Sequence, residues 1–94
     1  MGRDSRKYIP NCLRKSRKRA GFKQQTVAKK LNVSRSVISD WEKGLRMPNA
    51  TNLLRLSALY RTLVNELYYD FFLEQREFVF LNDEREFSEQ HLIN

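Results

Sequence analysis

Two short apolar stripes at helical spacing, parted by a single turn residue, constrain the fold of this chain more than anything else in it. Val27, Ala28 and Leu31 recur at i, i+1, i+4, and Val37, Ile38 and Trp41 repeat the pattern further on. Between them stand Asn32, which tolerates the left-handed conformation, and Ser34, a strong N-cap. The spacing predicts a helix over about 24–31, a turn at Asn32, and a second helix over about 35–43 ended by Gly44. Helices this short are marginal alone in water, so the rest of the chain must cover their apolar faces. Ala28 is small where two helices have to cross closely.

The neighbouring segments read as more of the same. Residues 1–10 are polar and basic and read as a flexible arm ending in Pro10. A first helix is expected from about Asn11 to Ala20, with Leu13, Ser16, Arg17 and Ala20 on one face and Gly21 as the C-cap. After the loop Leu45–Pro48, a fourth helix is expected over about 52–60, capped by Asn49 or Thr51, with Leu53, Leu56 and Leu59 or Tyr60 inward. A fifth is expected over about 63–69, capped by Thr62, with Leu63, Val64, Leu67 and Tyr68 apolar. Residues 70–94 change character to acidic and aromatic. Phe78 to Leu81 fit a short strand followed by a turn at Asn82-Asp83, and a helix continued through Leu73 to Gln75 fits equally well. Residues 83–94 read as frayed. The fold class is therefore all-α, five helices over 11–69 with a C-terminal extension over 70–94.

Charge divides the chain in the same place. Of 94 residues, 18 are Lys or Arg and 11 are Asp or Glu, for a net charge of +7. Residues 1–48 hold 14 basic and 3 acidic residues, whereas residues 49–94 hold 4 basic and 8 acidic. The positive field thus belongs to the half that carries the paired short helices, and a clustered field of that sign favours a polyanion. The single cysteine, Cys12, cannot form an internal disulfide, which suits a reducing, cytoplasmic compartment. Neither Cys12 nor His91 has a neighbour at metal-ligand spacing, so no metal and no cofactor is expected. There is no Gly-rich phosphate loop and no nucleophile beside a base in any recognisable motif, so no catalytic residues are expected. No run of 18 apolar residues is present to span a membrane, and the first residues lack the apolar stretch of a signal peptide.

The ordered set Gln24, Val27-Ala28, Asn32-Val33-Ser34, Glu42-Lys43-Gly44 and Pro48 resembles the core of the lambda-repressor/Cro-like helix-turn-helix family, also called the xenobiotic-response-element family. The resemblance covers roughly residues 12–69. Two positions depart from it. Lys23 stands where a Ser or Thr usually caps the second helix, a loss of roughly 1 kcal/mol. Asn32 replaces the usual turn glycine, a change the backbone tolerates.

The resemblance implies a five-helix DNA-binding domain whose third helix, about 35–43, enters the major groove. With Val37, Ile38 and Trp41 inward, Arg35, Ser36, Ser39 and Asp40 face outward as candidate base contacts. Arg35 suits guanine O6 and N7, and Asp40 suits a cytosine amino group. Asp40 equally suits a solvated position or an intramolecular partner, Arg35 or Lys43. Candidate phosphate contacts are Lys23, Gln24, Lys43 and Arg46, at the start of the second helix and just after the third. The resemblance further implies a salt bridge between Arg17 and Glu42, holding the first helix on the third and aiming Arg17 at a phosphate.

Such proteins usually act as twofold dimers on double-stranded DNA, as transcriptional regulators, most often repressors. Association with a bacterial or phage-type nucleoid in the cytoplasm would follow. The apolar residues of 67–81 either dimerise the chain or fold back over its core. An alternative reading makes the protein an antitoxin or adaptor, its acidic segment 67–94 binding a partner protein and DNA binding serving autoregulation.

Overall fold

A computed structural model describes residues 7–93, with side-chain environments for residues 7–82. The described residues form six helices and no strand: α1 Leu13–Ala20, α2 Gln24–Leu31, α3 Arg35–Lys43, α4 Ala50–Tyr60, α5 Val64–Leu67 and α6 Tyr69–Ile93. None is long and apolar enough to cross a membrane.

The paired-helix core forms as its residues dictate. Val27, Ala28 and Leu31 of α2 and Ile38 and Trp41 of α3 are buried in one cluster with Leu13, Leu56, Tyr60, Leu67 and Tyr68. Val37 lies half-buried at its edge. Asn32 takes the left-handed conformation, φ 59° and ψ 47°, and its N–H bonds back to the end of α2. Ser34 caps α3 by accepting from the Val37 N–H at 3.3 Å. α2 begins at Lys23 with no side-chain cap, as its lack of an acceptor requires.

Asn11 does more than start α1. Its Oδ1 accepts from the Leu13 N–H at 3.0 Å. Its amide nitrogen donates to the Ile9 carbonyl at 3.0 Å and to the Trp41 and Glu42 carbonyls at 3.3 Å. One side chain thereby joins the start of α1 to the end of α3. Ile9 is held too, its N–H donating to the Gly44 carbonyl at 2.8 Å. Of the segment read as an arm, residues 1–6 lie outside the described residues, and Ile9 packs against the core. Ala20, expected inward, is exposed, because Gly21 turns the chain away directly after it.

The second half differs from expectation in three ways. Asn49, not Thr51, caps α4, accepting from the Asn52 N–H at 2.8 Å. Thr62 does not cap α5. Its hydroxyl donates to the Tyr60 carbonyl at 3.0 Å, and Glu66 accepts from the Leu63 N–H at 3.4 Å instead. The single helix expected over 63–69 is broken at Tyr68, whose φ of −125° and ψ of 47° leave the helical region. There the chain turns and starts α6.

Of the two readings that fitted residues 70–81, the helical continuation through Leu73 to Gln75 is the one present, and the short strand at Phe78–Leu81 is absent because α6 runs through it. Residues 69–82 contain no Gly or Pro to stop a helix, and Leu, Glu, Gln and Arg sustain one. The helical spacing reads poorly there because the apolar residues of α6 lie on every side rather than along one stripe. The frayed end read at 83–94 likewise gives way to helical backbone as far as Ile93; its side chains lie outside the described residues.

Candidate nucleic-acid interface

The start of α2, the start of α3 and the outer side of α1 converge on an open concave face of about 690 Å³. It is lined by Arg14, Lys23, Gln24, Gln25, Arg35, Ser39 and Lys43, with Arg17 and Glu42 beneath. The open face is polar and basic, and its one carboxylate, Glu42, is spoken for from below.

Glu42 sits at the end of α3 and accepts three hydrogen bonds. Arg17 donates to it from Nε at 2.6 Å and from Nη2 at 3.2 Å, and Gln24 donates from Nε2 at 3.0 Å. Arg17 also donates from Nη1 to the Phe22 carbonyl at 2.9 Å. The Arg17 and Glu42 side chains are 9% and 5% exposed. Bidentate geometry with the remaining atoms satisfied is what makes a buried ion pair tolerable. The hydrogen bond to Glu42 raises the Arg17 pKa against the opposing effect of burial, so its charge is permanent.

The pair expected from the sequence is therefore present, but one role given to Arg17 is not. A guanidinium buried to this degree, with three donors used inside the fold, is not open to a phosphate. It acts as a strut between α1 and α3.

Gln24 carries the network to the surface. Its amide donates to Glu42 and its Oε1 accepts from Arg35 Nη1 at 2.9 Å. The orientation of that amide follows from charge: its NH₂ must face the carboxylate and its carbonyl the guanidinium. Arg35, exposed at the first turn of α3, is thus held from a half-buried residue of α2.

Ser36 is exposed beside it, its hydroxyl 3.0 Å from that of Ser34. Ser39 is half-buried on the same face. Asp40 pairs with neither Arg35 nor Lys43. Its carboxylate lies 3.5 Å from Arg46 Nε, with both side chains over a third exposed, so the pair contributes about 0–1 kcal/mol. Lys23, Lys43 and Arg46 are exposed on this side of the molecule. The structure thus groups Arg35, Ser39, Lys23, Gln24 and Lys43 on one face and leaves Asp40 and Arg46 paired beside it.

Sequence reasoning missed Arg14 and Gln25, which line the same face. Arg14 precedes Arg17 by one helical turn, so its position was recoverable from that spacing. Gln25 carried no such signal. Among the described residues no group of His, Cys, Asp and Glu is arranged to hold a metal.

Comparison with known proteins gives the same outline. Residues 13–67 match the family described as helix-turn-helix. Over 55 residues the chain is 36% identical to the HTH-type transcriptional regulator ImmR of Bacillus subtilis (strain 168), a stretch that covers 58% of this chain and 43% of that protein. The chain thus matches less than half the length of this relative.

Proposed function

The chain belongs to the lambda-repressor-like helix-turn-helix family, and from that premise we propose that it is a sequence-specific double-stranded DNA-binding transcriptional regulator, acting as a repressor and as a homodimer. The observation that carries this reading is the Arg17–Glu42–Gln24–Arg35 network. It fixes a recognition-helix arginine on an open, basic face without using a single exposed carboxylate.

In the proposed complex α3 lies in the major groove. Arg35, Ser36 and Ser39 reach base edges, and Asp40 reaches a cytosine amino group once Arg46 turns to a phosphate. The backbone N–H groups at the uncapped start of α2, with Lys23 and Gln24, hold one phosphate. Lys43, Arg46 and Arg14 track the strand beside it. Gln24 serves twice, binding the backbone and bracing Arg35, so the register of the protein on the duplex also sets where its arginine points. Occupying an operator would block transcription by exclusion, which needs no ligand-binding domain.

Selection of bound sequences from a random duplex library tests this, at about 150 mM salt so that non-specific phosphate binding is suppressed. The expected result is a pseudo-palindrome with half-sites about one DNA turn apart, and a guanine at the position lost when Arg35→Ala is selected in parallel. Recovery of no motif from folded protein would sink the reading.

A further inference from the structure

Four consecutive apolar residues of α6, Phe78 to Leu81, are exposed. Phe78 is 62% exposed, Val79 51% and Phe72 40%. The molecule is 58 Å long and 27 × 21 Å across, and α6 meets the helical bundle chiefly through α5. A contiguous exposed apolar patch of this kind marks a surface that other protein covers.

One stripe along it has the spacing of a helix–helix seam. Tyr68, Phe72, Gln75, Val79 and Asn82 alternate in steps of four and three, and Phe71 and Phe78 flank them. At the root of α6 this stripe borders an apolar groove of about 460 Å³, walled by Met47, Leu53, Val64, Phe71 and Phe72. The Tyr68 hydroxyl at this root is buried within its own chain and has no hydrogen-bond partner among the described residues.

The helix therefore carries an empty groove at its root and bare aromatic and aliphatic knobs two turns further along. A twofold axis satisfies both at once. Resting on the homodimer reading above, we propose that two copies pair antiparallel along this stripe, crossing at Gln75, so that Phe78 of each copy seats in the groove at the root of the other's α6. With Gln75 at the axis, Phe71 and Phe72 face the second copy's Phe78 and Val79, and Tyr68 faces its Asn82. Gln75, a polar residue flanked by Phe72 and Val79 at the centre of the seam, fixes the register as buried amides do in coiled coils. Its Nε2 donates to the Phe71 carbonyl at 3.3 Å, which leaves its Oε1 to face the other copy. Phe72, Phe78 and Val79 keep 40%, 62% and 51% of their surface exposed, so their burial supplies only part of the ~800 Å² per partner of a stable interface, and Gln75 with the groove walls must supply the rest. On the rival seam, Tyr69, Leu73 and Phe80, a groove of about 640 Å³ runs beside Leu73 and Phe80, but Glu74, Arg76 and Glu77 line it as well, and a second copy seated there would bury those charges.

The test uses the full chain without DNA, in a Cys12→Ser background. Gln75→Cys places two thiols at the axis, where a disulfide can close, whereas Phe80→Cys places them on the rival face. Mild oxidation is expected to trap most of the Gln75→Cys protein as a disulfide dimer and little of the Phe80→Cys protein. Sedimentation is expected to show a dimer for the parent and a monomer for Phe78→Asp/Val79→Asp, with the fluorescence of buried Trp41 unchanged as the sign of intact folding. A dimer that crosslinks at residue 80 in preference to 75 would overturn this pairing and leave the homodimer reading standing. A monomeric parent would overturn both. Neither result bears on DNA recognition, which the sequence selection reads separately.

Discussion

Glu42 is the residue on which most of the interface depends. Its carboxylate holds Arg17 from α1 and Gln24 from α2, and Gln24 in turn holds Arg35. Removing one partner of a buried ion pair strands the other charge, so Glu42→Ala is expected to cost about 3–5 kcal/mol in urea denaturation. Operator affinity should fall with it, because Gln24 and Arg35 lose their anchor; a variant that melts and binds like the parent would refute the network. The Arg17–Glu42 pair was legible in the sequence through the family resemblance. The bridging amide was not, because it depends on side-chain positions from three helices meeting at one point. The partner of Asp40 was missed for a similar reason: Arg46 lies in a loop whose path no periodicity describes. Two phenols set a second expectation. Burial pushes Tyr68 up to about 12, and burial together with the nearby Glu42 pushes Tyr60 higher still. In the unfolded chain both ionise near 10. The fold therefore retains protons that the unfolded chain releases, and stability should hold steady in this respect below about pH 10 and fall as pH climbs through about 12. Denaturation midpoints measured at stepped alkaline pH check the direction; a Tyr68→Phe variant should show a shallower fall.

At the scale of elements, the short helices are set by their ends. Each of α1, α2 and α3 stops at a left-handed residue, Gly21, Asn32 and Gly44, whose N–H closes the last turn. These stops were readable because the chemistry is local: few residues other than Gly and Asn accept that conformation cheaply. Gly44 carries a second constraint that no local reading reveals. A Cβ there would collide with the Ile9 backbone, lying 2.7 Å from its nitrogen and closer to its carbonyl oxygen. Gly44→Ala must therefore both strain a φ of 77° and push residue 9 off the end of α3. It is expected to destabilise by about 1–3 kcal/mol for the backbone conformation alone. It should also free the Ile9 N–H, so hydrogen exchange at Ile9 should rise far more than at Val27, which is buried elsewhere; equal protection would contradict the contact. The same locality explains what was misread in the second half. Tyr68 breaks the helix through tertiary packing, and α6 looks irregular only if one dry face is expected of it.

At the scale of the whole molecule, the two charged halves separate two tasks. The basic half presents Arg14, Lys23 and Lys43 on the concave face, with Arg46 beside it, while α6 reaches away with acidic residues among its apolar ones. If each half-site neutralises three or four phosphates, a dimer releases about six to eight counterions, and log affinity should fall with log salt at a slope of about −5 to −7. Lys43→Ala removes one phosphate contact from each half-site and should make that slope shallower by about 2 while weakening every sequence alike. Arg35→Ala should leave the slope nearly unchanged and relax one base position, since a guanine contact releases few counterions. The Phe78→Asp/Val79→Asp variant should halve the slope, because each chain then binds a half-site alone. Fluorescence anisotropy titrations over a salt series distinguish the three. A slope that does not respond to Lys43→Ala would remove α3's end from the phosphate track, and a full slope in the α6 variant would mean that dimers form on the DNA without the seam.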